Sequence, residues 1–291
     1  MSYFFEVSEF GKNYRLGIID RAIMFGLYPI FKLHHWFYYG SNLKKVLARS
    51  VFNLLPKNKC LNIDCYSVSL RRNFKLPVWL VPDHLTSLRE IFWTQAYKLE
   101  SSWTPTSLID AGANVGYASL YLATQYGIKK ILAIEANSNL IPKLQYVTKI
   151  LIDFGIDIRI ANGALVGRTR QLAFEVCENS RDSSLGEVGK IGTKTITVDG
   201  YRLNGWLDRL SFSEMDFEKN RLFKIDIEGA EFEVLKEDHE AFSSAQYLIA
   251  EVHGETLIRN QFANSLSSTF NIHKRVVTPA CETVEVLYAS N

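Results

Sequence analysis

The chain has little of what marks a disulfide-stapled, zinc-knuckled or membrane-spanning protein. Its 291 residues include four cysteines, Cys60, Cys65, Cys177 and Cys281. No pair of them has the two-residue gap of a zinc knuckle, and no histidine pair stands at the matching spacing. They read as scattered, reduced thiols. Neither sign of charge is in surplus: 33 basic residues stand against 31 acidic ones, a formal +2. That balance supplies no overall phosphate-tracking surface. The opening stretch MSYFFEVSEFGKNYRLG puts Glu6 and Glu9 ahead of any apolar run, which is not the pattern of a secretory leader. Long apolar runs are missing too. The uncharged core at 22–31 is ten residues, between Arg21 and Lys32, against the roughly twenty a bilayer requires. The wider segment 22–40, with Trp36, Tyr38 and Tyr39, reads as packing on the main domain in preference to a substrate lid or a membrane-surface contact. A cytoplasmic protein of open oligomeric state is the expectation.

What is present is an alternation. Residues 1–75 read as a helical extension, with broken periodicity over 15–55 punctuated by Gly26, Pro29 and Gly40. Residues 68–82 alternate as one or two short strands, and 86–100 as a helix capped by Thr86 or Ser87. From Ser107 onward short apolar strands (SLID, KKILAIEA, IDIRIAN, RLFKID, YLIAEVHG) take turns with helical segments over 116–126, 140–154 and 256–269. A polar hairpin-like interval fills 172–198, and NIHKRVV and ETVEVLYA close the chain as a strand pair. The pattern predicts an α/β, Rossmann-like fold: a mainly parallel sheet covered on both faces, with one antiparallel strand from the closing hairpin, occupying 76–291.

In such a sheet ligands bind beyond the carboxyl ends of the strands, where the strand order reverses. The stretch LIDAGANVGYASL falls at that place. Gly112 permits a tight turn and Gly116 a close approach of helix and strand. The spacing is not the G-x-G-x-x-G of a dinucleotide site, and Asp110 before the turn is an awkward neighbour for a pyrophosphate. It suits a ligand carrying an ammonium group. The second strand ends in Glu135, placed to accept from both hydroxyls of a ribose. S-adenosylmethionine meets both requirements. A nicotinamide or nucleotide cofactor and a ligand-free turn are the alternatives. Further on, FKIDIEGAEFEVL sets Asp226, Glu228 and Glu231 around a strand end and a helix start. Acidic residues favour a helix N-terminus for dipole reasons alone, but Asp226 ends an apolar strand, where a carboxylate is costly unless paired or used.

LIDAGANVGYASL, AIEANSNLIPKLQ, ITVDG, FKIDIEGAEFEVL and LIAEVHG stand in an order and spacing that resemble the FkbM family of S-adenosylmethionine-dependent methyltransferases, over roughly 76–253. The resemblance implies a seven-stranded class I methyltransferase sheet. It also implies methyl transfer to a hydroxyl of a small molecule, such as a natural product, sugar or glycolipid, for secondary metabolite biosynthesis. By it, Asp110, Gly112, Asn114 and Gly116 surround the methionine end of the cofactor, Glu135 holds the ribose with Asn137 beside it, and Ser184 borders the site. Residues 1–75 match nothing in the resemblance and are a possible lid or acceptor-binding region.

An aliphatic hydroxyl is a poor nucleophile, so a base or a metal must deal with its proton. The candidates for the catalytic set are Asp226, His253 and Glu228, His253 standing on the same rim as Asp226. A divalent metal held by Asp226, Glu228, Glu251 and His253 is possible on residue type, but the spacing does not demand it and no metal site is assigned. A nucleic-acid methyltransferase is disfavoured, because DIEG stands where a base-directed enzyme carries its Pro-Pro-aromatic clamp. A catalytically inactive cofactor-binding module is the other alternative.

Overall fold

A computed structural model describes residues 14–16, 60–176, 184–185, 194–212, 220–277 and 284–291. The segment 22–40, and the helical periodicity of 15–55 beyond Leu16, lie outside the described residues. Two compact units are present, 1–98 and 99–291. Among the described residues no helix is long and apolar enough to cross a membrane.

The first unit contains an antiparallel sheet of β1 (Tyr14–Leu16), β2 (Cys60–Ser67) and β3 (Arg72–Trp79), in that order. The alternation read over 68–82 resolves into the single strand β3, which buries Phe74, Leu76 and Val78 at every second position. Helix α1 (Pro82–Leu88) begins earlier than expected. Proline occupies its first turn, where a missing N–H costs nothing, and Val81 precedes it as N-cap. It runs into a π-helical turn, Arg89–Trp93, and stops there rather than at Glu100.

The second unit follows the expected alternation: β4 (Ser107–Ala111), α2 (Tyr117–Tyr126), β5 (Lys130–Glu135), α3 (Ile141–Asp153) and β6 (Asp157–Asn162). A four-stranded side sheet comes next, from β7 (Ala164–Leu165), β8 (Arg170–Val176), β9 (Ser184–Leu185) and β10 (Lys194–Tyr201), in the order β7-β10-β8-β9. Then come α4 (Leu203–Arg209), β11 (Arg221–Ile225), α5 (Glu231–Glu237), α6 (His239–Ser243), β12 (Tyr247–His253), α7 (Thr256–Leu266), β13 (Asn271–Val277) and β14 (Val284–Ser290). The main sheet has seven strands in the order β13-β14-β12-β11-β4-β5-β6. β14 alone runs antiparallel to its neighbours, while β12, β11, β4, β5 and β6 pair in parallel. The fold is therefore the Rossmann-like, mainly parallel sheet expected, with one antiparallel strand.

The chain moves outward from β4 to β6 and then returns to β11 on the other side of β4, so the strand order reverses between β4 and β11. Both strands are buried along their whole length, as apolar central strands with covered faces must be. Phe223 of β11 packs on Phe242 of α6 at 5.2 Å between ring centroids, and Phe242 on Phe262 of α7 at 6.2 Å. This aromatic file fixes the helices on one face of the sheet, and truncating one of its rings to alanine costs about 3–5 kcal/mol.

Candidate active site

Beyond β4 the chain turns through Gly112 (φ 77°), Asn114 (φ 51°) and Gly116 (φ 88°) before α2 starts. Protein, not ligand, fills the space the glycines leave. A Cβ on Gly112 would overlap the carbonyl oxygen of Asp226 and stand 2.8 Å from its carbonyl carbon. One on Gly116 would meet Leu144 at 2.9 Å and Val147 at 3.1 Å, both on α3. The first glycine thus lets the loops after β4 and β11 lie against each other at the point of strand reversal, and the second lets α3 approach.

Two opposite charges are buried under that contact. Asp110 is fully buried. Its Oδ2 accepts a hydrogen bond from the Ser119 hydroxyl at 2.7 Å, and its Oδ1 is 3.1 Å from Lys224 Nζ. The ammonium that Asp110 meets is therefore the chain's own, and Asp110 is not among the residues that line the cleft. This departs from its expected place at the cofactor: a carboxylate inside an apolar strand was stabilised by a buried cation. Lys224 Nζ donates to the carbonyl of Gly112 at 2.8 Å and stands 3.6 Å from Asp226 Oδ2. Burial disfavours an ammonium, but Asp110 and Asp226 outweigh it and hold the lysine's pKa above its usual range. The sequence signal for Lys224 was a lysine set between apolar residues of the strand RLFKI, two positions before Asp226.

At the tip of β5, Glu135 is 7% exposed. Its two oxygens accept the backbone N–H groups of Asn114 and Asn137, each at 2.7 Å. Burial nonetheless dominates those bonds and pushes its pKa up to about 7. Asn137 is buried outside the cleft, where its Oδ1 accepts from the Asn139 N–H at 3.1 Å and shapes the turn into α3. Ser184 lies in β9 with its backbone opposite Glu175, and most of its surrounding loop, 177–183 and 186–193, lies outside the described residues.

The strand tips border an open cleft of about 550 Å³, solvent at its mouth included. Gly112, Asn114, Ile134, Glu135 and Ala136 line it from β4 and β5, Gly163 to Leu165 and Phe174 from β6 to β8, and Asp226, Ile227 and Glu228 from the loop after β11. Among the described residues lining it there is no lysine or arginine, so a pyrophosphate would find no cation, while a sulfonium would find carboxylates. The apolar stretch from Ile134 to Leu165 and Phe174 suits a purine ring. These residues fit S-adenosylmethionine.

The third loop, Asp226 to Ala230, holds the acid–base groups. Glu228 is a non-glycine residue in left-handed conformation (φ 55°), followed by Gly229 at φ 105°. Glu231, 1% exposed, accepts the N–H groups of Ile227 at 3.0 Å and Gly229 at 3.1 Å, which ties the bend to the first turn of α5. The same carboxylate reaches His253 Nδ1 at 3.0 Å, while His253 Nε2 lies 3.3 Å from Glu228 Oε2. Burial, with smaller contributions from Asp226, Glu251 and Glu231, raises the Glu228 pKa well above the ordinary carboxyl value, although His253 opposes that rise. Burial likewise opposes charge on His253, but Glu231 and Glu228 prevail and hold the imidazole's pKa well above its usual value. The structure thus gathers Asp226, Glu228 and His253 as expected. It adds Glu231, which the sequence could offer equally as a helix-start carboxylate. Asp226, Glu251 and His253 bring ligand atoms within 4.8 Å of one another, a spacing a divalent ion can bridge. Both ring nitrogens of His253 face carboxylates, and Lys224 stands beside Asp226, so two of the three groups are held in ion pairs of the chain's own.

The chain is similar in sequence to known methyltransferases. The family model described as Methyltransferase FkbM domain matches residues 110–270. The methyltransferase sdnD of Sordaria araneosa is 26% identical over 197 residues, covering 60% of this chain and 76% of that protein. The crystal structure of methyltransferase FkbM from Methylobacillus flagellatus is 16% identical with a TM-score of 0.47, covering 71% of this chain and 51% of that one, about half its length. Streptococcus pneumoniae Sp1610, a putative tRNA (m1A22) methyltransferase solved with S-adenosyl-L-methionine, is also 16% identical, with a TM-score of 0.39 and coverages of 65% and 67%.

Proposed function

The chain belongs to the FkbM methyltransferase family, and from that premise we propose that it methylates a hydroxyl oxygen of a small molecule, a natural product, sugar or glycolipid. The observation that carries this reading is the cleft itself, in which Glu135 at the tip of β5 and Asp226 and Glu228 just beyond β11 stand with no cation among the described lining residues. S-adenosyl-L-methionine is the cofactor and supplies the electrophilic methyl group.

The chain's own task is to hold and orient. Glu135, fixed by the N–H groups of Asn114 and Asn137, accepts the ribose hydroxyls. Gly112 and Asn114 give the methionine end a side-chain-poor wall. Asp226, with Lys224 Nζ at 3.6 Å, faces the positive end. The acid–base cluster of Asp226, Glu228 and His253 keeps a proton acceptor beside the acceptor alcohol, whose oxygen must lie in line with the breaking bond.

Two measurements test this. Calorimetry should give heat with S-adenosyl-L-methionine and none with NAD. A panel of hydroxylated glycosides and polyketides, scored for S-adenosylhomocysteine release and a mass gain of one methyl, should yield an acceptor. Binding without release on any hydroxylated compound would point to an inactive binding module. Methylation of tRNA instead would overturn the small-molecule assignment.

A further inference from the structure

Glu228 lines the cleft and His253 does not. His253 stands behind it, with Nε2 at 3.3 Å from Glu228 Oε2 and Nδ1 at 3.0 Å from Glu231 Oε1. The three side chains form a file from cleft to core: carboxylate, imidazole, carboxylate. The backbone is bent to suit it. Glu228 occupies the left-handed region (φ 55°), at a cost of about 1–2 kcal/mol for a residue with a Cβ. Glu231 pins that bend through the N–H groups on either side of Glu228. We propose that Glu228, not His253, takes the proton from the acceptor hydroxyl, and that His253 and Glu231 are positioning residues that keep Glu228 aimed and anionic. This rests on the methyl-transfer reading above.

The electrostatics give the file its purpose. Around Glu228 stand Asp226 at the end of β11, Glu251 and His253 on β12 and Glu231 on α5, with Lys224 beyond Asp226. Burial and three carboxylates all press Glu228 to hold a proton, and only His253 counters them at close range. A buried imidazolium needs an anion of its own, which Glu231 supplies. With Glu228 ready to take a proton, the charges alternate from core to cleft as minus, plus, minus. In the transfer the acceptor oxygen bonds the methyl carbon and the carbon–sulfur electron pair stays on sulfur. The hydroxyl proton passes to the Glu228 carboxylate and leaves from there to water.

The experiment turns on a sign. Full-length protein carrying 15N-histidine and 13C-carboxyl glutamate is titrated by NMR with S-adenosylhomocysteine added, as wild type, Glu231→Gln and His253→Gln. Glu231→Gln keeps an oxygen for the backbone N–H groups and loses the charge. His253 should then titrate about one pH unit lower. His253→Gln leaves Glu231 on its backbone donors and should raise Glu228 alone. With an acceptor from the panel, the acid limb of kcat/KM should move to higher pH in His253→Gln. Glu228→Gln should lose about 10²–10⁴-fold at every pH, with cofactor affinity kept within a few-fold. If Glu228 does not move in His253→Gln, or if that variant loses turnover at every pH as a histidine base requires, the assignment of the proton to Glu228 is overturned. A panel without any methylated product counts against the methyl-transfer reading alone, since the titrations need no acceptor.

Discussion

Gly112 is the position where a single methyl group tests the whole arrangement. Its φ of 77° lies in the left-handed region, and a Cβ there would overlap the carbonyl oxygen of Asp226. Gly127 gives the control: it has a similar φ of 70°, and a Cβ would meet nothing within 4 Å. Both alanine variants carry the conformational cost of about 1–2 kcal/mol. Gly112→Ala adds an overpacking cost of about 1–3 kcal/mol, because backbone rather than a flexible side chain must move. The expected destabilisation is about 1–2 kcal/mol for Gly127→Ala and about 2–5 kcal/mol for Gly112→Ala, at roughly 2–4 °C of melting temperature per kcal/mol. The relaxation that admits the methyl must also shift the residue carrying the Asp226 carboxylate. A displacement near 1 Å costs on the order of 10²-fold in a positioned reaction. Thermal melts with and without S-adenosyl-L-methionine read both effects. Gly127→Ala should keep the cofactor-induced rise in melting temperature, and Gly112→Ala should lose most of it. If the two variants melt together and bind alike, the contact between the loops after β4 and β11 does not shape the site, and the reasoning fails.

Other perturbations follow from the buried charges. Lys224→Met strands Asp110 and Asp226 without their cation and should cost about 3–5 kcal/mol in urea unfolding. Glu135→Gln leaves one of the Asn114 and Asn137 N–H groups facing an amide NH₂, and should weaken S-adenosyl-L-methionine binding about 10–100-fold by calorimetry. Because the folded-state pKa of Glu135 is raised to about 7 from 4.5, the folded protein holds a proton that the unfolded chain releases. Stability should therefore fall by up to about 3 kcal/mol as pH rises through that window and level off above it, a slope absent from Glu135→Gln. Chelation with EDTA should leave cofactor binding and turnover unchanged; a loss restored by magnesium would reassign Asp226, Glu251 and His253 to a metal.

Periodicity made the second unit legible because each strand there is an apolar run closed by a turn residue and followed by a helical stripe. The helices read at 116–126 and 140–154 appear within a residue of those bounds, at Tyr117–Tyr126 and Ile141–Asp153. The antiparallel strand was visible in the closing pair for the same reason. The first unit resisted. β2 is CLNIDCYS, where Asn62 and Asp64 weaken strand propensity and the buried positions are Ile63, Cys65 and Ser67. α1 starts at a proline that reads as a breaker until it is placed in the first turn, where it belongs.

At the rim, residue type announced the chemistry but not which group faces which. Asp110 and Glu135 both end parallel strands next to glycine or small residues, and by type either suits a ligand. Burial separates them: Asp110 turns inward to Lys224 and Ser119, and Glu135 outward to the cleft. Asp226 and Glu231 differ in the same way within a single turn. One carboxylate lines the cleft; the other caps its own loop and orients an imidazole on the next strand. Two alternating files result, Asp110–Lys224–Asp226 between β4 and β11 and Glu231–His253–Glu228 between the loop after β11 and β12. Asp226 and Glu228 are two residues apart on one bend, so the files share their outer ends. An ion removed from either changes the field at the other across a part-buried gap, where Coulomb interactions are several times stronger than in water. The two files are thereby coupled through one loop, which the absence of a side chain at Gly112 lets lie against the loop after β4.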